Sequence, residues 1–111
     1  MKFTGNSEYK VVIVHSAKTQ FAQILRYIRQ DLGNEQAARN VKEDMEETRL
    51  RLSYVAGSLK LCDDPKWRTF GYRTIHLKSH RYFLLYKIID DNIVRVDGIY
   101  HDLQDYENVL Q

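Results

Sequence analysis

Short β-branched runs and longer helical periodicities alternate along this chain in an order that sets out an architecture. Tyr9–His15 (YKVVIVH) is short, apolar and β-branched, which predicts a well-buried strand. Ser16 then reads as a helix N-cap, after which Ala17, Phe21, Ile24, Leu25, Ile28 and Leu32 recur at helical spacing on one face until Gly33-Asn34 interrupts them. Asn34 suits the cap of a second helix, whose stripe is Ala38, Val41, Met45, Thr48, Leu52 and Val55, with Gly57 as its stop. That helix is on the order of 30 Å long. So short a connection makes the two helices antiparallel, and their apolar stripes need a common surface to cover.

The surface is a sheet of the first strand and three later ones, Tyr72–Lys78, Tyr82–Ile89 and Ile93–Tyr100. Asp91-Asn92 suits a tight hairpin, so the last two strands pair antiparallel. Asp102, with Asp105 three residues on, resembles a capping box and predicts a short C-terminal helix. The expected fold is α+β in the order β-α-α-β-β-β. An antiparallel helical hairpin packs on one face of a mainly antiparallel sheet, and residues 1–111 form one domain.

Composition agrees with a folded domain. A chain of 111 residues with 43% hydrophobic residues, one proline and no low-complexity run has the means to offset its ordering entropy, which excludes a disordered segment. The net charge of +2 is mild, but charge is sorted along the chain. Lys60, Lys66, Arg68, Arg73, Lys78 and Arg81 face only Asp63 and Asp64, whereas Glu43, Asp44, Glu46 and Glu47 crowd the segment before them. The lone Cys62 forms no internal disulfide and, beside two aspartates, lacks the electropositive setting of a reactive thiol. No signal peptide and no apolar run of about 18 residues is present, so a cytoplasmic protein without membrane attachment is expected.

Strand alternation directs Ile75 and Leu77 toward the helices and Tyr72, Thr74, His76 and Lys78 away from them. By the same rule Val94, Val96 and Gly98 face the core, and Arg95, Asp97, Ile99 and His101 face outward. The outer face then gathers His76, Lys78, Arg95 and His101. A solvated polar face is the ordinary reading of such a surface, but these groups also suit chemistry at a phosphodiester. Cleavage of RNA through its own 2′-hydroxyl needs a base, an acid and cations for the phosphate, and no metal or cofactor. His76 and His101 suit proton transfer, Lys78, Arg73, Arg81 and Arg95 suit the phosphate, and Tyr106 suits base stacking or proton transfer. Each has a structural alternative: Arg73 shares strand parity with Ile75, and Tyr106 suits an anchor for the last helix. A zinc site of His76, His80 and His101 is disfavoured, because a separation of four residues spreads two ligands along a strand.

The opening YKVVIVHSAKTQFAQILRYI, the joining LGNEQAA, the triplet GYR, the central RYFLLYKIIDD and the closing VDGIYHDLQDYENVL together resemble the RelE/ParE superfamily of bacterial toxins from type II toxin–antitoxin (plasmid stabilisation) systems. That resemblance runs from Tyr9 to the C-terminus. It implies a small protein neutralised by a cognate antitoxin, acting either as a ribosome-dependent mRNA endonuclease or as a poison of DNA gyrase. Arg73, Lys78, His101 and Tyr106 resemble the basic and aromatic residues of the ribonuclease members, and the ribonuclease is the reading these residues favour. Tyr82-Phe83 and Leu103-Gln104 stand where many relatives carry cations, and the long helical hairpin is closer to the gyrase-directed members. A non-toxic binding module on the same scaffold is the third reading.

Overall fold

Strand β1, Lys10–Ile13, shows the period of two expected of a strand with one covered face: Val11 and Ile13 pack against the core while Lys10 and Val12 stay exposed. The computed structural model describes residues 8–79 and 81–102. Helix α1, His15–Arg26, starts earlier than a Ser16 cap allows. The Val14 amide still donates to the Val96 carbonyl of the sheet (3.1 Å), so the chain turns from strand into helix with Val14 at the cap and no side-chain bond there. A π-helical turn, Tyr27–Asp31, ends the first helix. Its wider winding keeps Ile28 buried and leaves Leu32, expected on the buried stripe, 58% exposed. Gly33 then takes a left-handed conformation (φ +62°) that reverses the chain.

Asn34 caps helix α2, Glu35–Val55, as its sequence position predicts: its Oδ1 accepts from the Ala37 amide at 2.9 Å. The predicted stripe Ala38, Val41, Met45, Thr48 and Leu52 is buried. Strands β2 (Tyr72–His76), β3 (Tyr82–Asp90) and β4 (Ile93–His101) complete a four-stranded sheet ordered β1-β4-β3-β2. The β1/β4 pair is parallel and the other two are antiparallel. Met45, Leu52 and Ala56 pack against Ile75, Leu77, Leu84, Tyr86, Val94, Val96 and Ile99 to form the main core.

Tyr86 sits at the centre of that core, fully buried, and its hydroxyl donates to the Ala56 carbonyl at 2.8 Å. Burial holds its phenol neutral, well above the ordinary value of 10.0, and burial raises Tyr72 and Tyr82 as well. The folded state therefore keeps protons that the unfolded chain has lost above its own tyrosine pKa. Stability is complete below about pH 10 and falls as pH rises beyond it. Tyr86→Phe should flatten that decline, read as the urea midpoint followed from about pH 9 to 12. An unchanged alkaline slope would remove Tyr86 as its source.

Two features depart from the sequence reading. The segment before β2 contains a third helix, α3 (Pro65–Thr69), in which Asp64 Oδ1 accepts from the Lys66 and Trp67 amides (2.9 and 3.2 Å) and Pro65 occupies the first turn. Trp67 is thereby laid on the outer face of the sheet, where it forms a second core with Cys62, Phe83, Leu85 and Tyr100. That face, expected to gather mainly polar groups, carries an apolar cluster as well.

The other departure is a β-bulge. Leu85 pairs with Gly98 but Tyr86 pairs with Val96, so Asp97 is an extra residue in β4. Beyond it the alternation inverts. Ile99 joins the main core, Tyr100 joins the outer one, and the His101 ring meets Tyr82 edge-on at 5.3 Å on the helix-bearing side. Gly98 lies beneath Tyr100, where an added Cβ would come within 2.7 Å of the ring. The predicted C-terminal helix falls on residues 103–111, outside the described ones.

Candidate functional site

His76 ends β2 with its side chain 61% exposed on the outer face, and its Nε2 lies 3.2 Å from Asp102 Oδ1. Asp102 is held there by its amide, which donates to the Arg81 carbonyl at 2.9 Å, and its Oδ2 faces Arg81 Nε at 3.7 Å. Thr74, His76, Phe83 and Asp102 line an open cavity of about 210 Å³. Thr74 and His76 also border a second hollow of about 430 Å³ between β2 and the Leu59–Asp64 loop. Hydrogen bonding to a carboxylate orients an imidazole for proton transfer or, once it is protonated, holds it as a cation. At this exposure the ion pair itself contributes little to stability.

At the opposite end of the outer face, Asp97 organises a second group. Arg95 donates through Nε to Asp97 Oδ1 (2.7 Å) and through Nη2 to Oδ2 (2.9 Å), and the Tyr72 hydroxyl donates to Oδ2. The bond to Asp97 raises the Arg95 pKa, and burial, reinforced by Asp97, raises that of Tyr72. Trp67 meets the Tyr72 ring edge-on at 5.0 Å, and Lys87 Nζ lies 5.7 Å from its centroid.

The expected gathering of His76, Lys78, Arg95 and His101 on one face does not form. The bulge at Asp97 turns His101 to the helix-bearing side. Arg95 stays on the outer face but is engaged by Asp97. Lys78 lies past the end of β2, where its amide donates to Asp44 Oδ1 at 3.1 Å and its side chain is exposed. Arg73 pairs across the sheet with Tyr86, and its Nε is buried with no hydrogen-bond partner among the described residues. Tyr106 falls outside them. Of the expected residues, His76 and Arg81 are brought together, and by Asp102, which its sequence position marks as a helix cap. Asp44, only 3% exposed, was equally illegible, because its partners are amides more than thirty residues away. Among the described residues no group of three or more His, Cys, Asp or Glu is placed to hold a metal, and no helix is long and apolar enough to cross a membrane.

Residues 11–106 match a family model described as the ParE toxin of type II toxin-antitoxin system, parDE. The chain belongs to the ParE toxin family. This ParE-family toxin is also similar in structure to a chain from the chromosomal ParDE TA system of P. aeruginosa, with a TM-score of 0.68 and 15% identity. The match covers 86% of the toxin and 97% of that chain, and at this identity the likeness speaks for the fold. The expected β-α-α-β-β-β order is thus present, with α3 added between the second helix and the second strand. No curated protein matches the sequence.

Proposed function

We propose that this ParE-family toxin acts by binding and trapping DNA gyrase, with a small antitoxin as its natural inhibitor, and does not itself cut mRNA. The observation that carries this reading is the separation of His76 and His101 onto opposite faces of the sheet. Cleavage through a 2′-hydroxyl requires a base and an acid on either side of one phosphate, each within hydrogen-bond reach. Two imidazoles divided by a sheet do not meet that condition. A poison, by contrast, needs a complementary surface and no proton-transfer pair.

The test combines purified toxin, gyrase and supercoiled plasmid in one assay and a translating extract with a reporter message in another. Stabilised gyrase cleavage complexes with intact message are expected, and His101→Ala should leave the potency unchanged. Message cut within codons while gyrase runs normally would overturn the reading. One grouping, His76 with Asp102 and Arg81 beside an open cavity, favours the ribonuclease as second reading. In that case His76→Ala abolishes message cleavage and growth arrest together.

A further inference from the structure

We infer that the hollow between α1 and the adjoining ends of β3 and β4 is a binding site for a single nucleobase, held by its ring faces and its hydrogen-bonding edge. It lies on the helix-bearing side, across the sheet from His76, and does not depend on which macromolecule the toxin poisons. The hollow exists because the sheet loses a strand. Strand β1 pairs with β4 only as far as Ile13 opposite Val96, and the chain then turns into α1. From Asp97 onward that edge of β4 has no neighbouring strand among the described residues. Gln20 of α1 fills part of the gap, its Oε1 accepting from the Ile99 amide at 3.1 Å.

The opening that remains has a volume of about 310 Å³ and is lined by Gln20, Gln23, Ile24, Tyr27, Tyr82 and Ile99. None of these carries a formal charge, in a chain of which 29% of the residues do. A charged ligand would leave its hydration and meet no counter-charge, so the occupant is neutral. Polar groups are nonetheless at hand. With Oε1 on the Ile99 amide, the Gln20 side chain is fixed in orientation and presents its N–H donors. Strand geometry points the Ile99 carbonyl to the same side as its amide, which adds an acceptor. Gln23, exposed, supplies either kind of group, and the Tyr82 hydroxyl remains a donor at neutral pH because burial, with Tyr27 adding to it, raises its pKa. Uncharged donors and acceptors side by side match the edge of a base.

The aromatic walls supply the other half of the recognition. Tyr27 is 52% exposed, a ring the core does not use, and it opens the π-helical turn, a rare winding that recurs at functional sites. Tyr82 is braced edge-on by His101 and packs against the main core with Ile24, while Ile99, 3% exposed, closes the floor. Stacking on such rings suits any base, since every base has a π-face. An aliphatic side chain in the hollow would leave the amides unpaired, and a sugar would leave the rings uncovered. The volume stands at the lower end of ligand sites, which fits one base and not two. A base of this kind comes either as a free nucleoside or from a single strand.

The experiment titrates the isotope-labelled, full-length toxin with adenosine, with a single-stranded DNA tetranucleotide, and with N-acetylphenylalanine amide, whose ring lacks a base edge. Adenosine at about 5 mM should shift the amides of Gln20, Ile24 and Ile99 and leave those of His76 and Phe83 in place. Tyr27→Ala should weaken binding about tenfold, whereas Tyr27→Phe should bind almost as the wild type, because stacking needs the ring and not the hydroxyl. Gln23→Ala, at an exposed position, should weaken it about threefold and provides a second variant should Tyr27→Ala loosen the end of α1. Tighter binding of the tetranucleotide at the same amides identifies a strand as the source, equal affinity identifies the free nucleoside, and both uphold the site. Absence of any shift, equal affinity for N-acetylphenylalanine amide, shifts centred on His76 and Phe83, or binding indifferent to Tyr27→Ala and Gln23→Ala overturns the inference.

Discussion

Asp44→Ala should lower the free energy of unfolding by about 3 kcal/mol, one of the two largest single-residue effects expected for this toxin. Asp44 projects from α2 into the bend after β2, where its Oδ1 and Oδ2 accept from the Lys78 and Ser79 amides at 3.1 and 2.9 Å. With the carboxylate removed, two partly buried N–H groups lose their acceptor, and each costs about 1–3 kcal/mol. Asp44→Asn keeps one acceptor oxygen and should recover about half of the loss. The measurement is the urea midpoint, shifted with its m-value unchanged. A loss below about 1 kcal/mol would mean that water replaces the carboxylate and that the bend is not pinned by it.

Trp67→Ala should cost about 4 kcal/mol and lower the melting temperature on the order of 15 °C. Trp67 is 2% exposed and closes the outer core over Cys62, Phe83, Leu85 and Tyr100. A five-residue helix fixed by one Asp64 cap cannot collapse into the space that its indole leaves, so much of the cavity persists. The damage should be local to that face. Cys62, buried in the wild type, should react with a thiol reagent far faster in the variant. Trp67→Phe, which retains a ring against Tyr72, should lose about half as much. An unchanged Cys62 rate would show that the Leu59–Asp64 loop, and not the indole, shields the thiol.

Much of this architecture was legible along the chain because the signals were local. The hairpin of α1 and α2 follows from apolar spacing, and its turn from Gly33 and the Asn34 cap, whose bond to Ala37 spans three residues. The Asp64-Pro65 start of α3 is just as local, an N-cap followed by a first-turn proline, although the sequence reading places no helix there. Leu32 leaves the predicted stripe because one π-helical turn displaces every later position of a pattern set at 3.6 residues per turn.

The candidate site was less legible. Alternation through β4 assigned Arg95 and Asp97 to the outer face, where they lie. It then assigned Ile99 and His101 to the same face, and the bulge at Asp97 reverses both. Asp102 meeting His76 and Arg81 joins the ends of three strands, and no spacing within the sequence encodes that meeting.

By itself, then, the chain determined the order of its strands and two long helices, its helical hairpin, most of its main core and its family. Periodicity, caps and turns act over a few residues and can be read wherever they occur. Only the tertiary structure decided which face carries each imidazole, which carboxylate meets it and how much of the outer sheet is covered. Those outcomes depend on strand pairing between distant segments, where one extra residue in a ladder sends every following side chain to the other side.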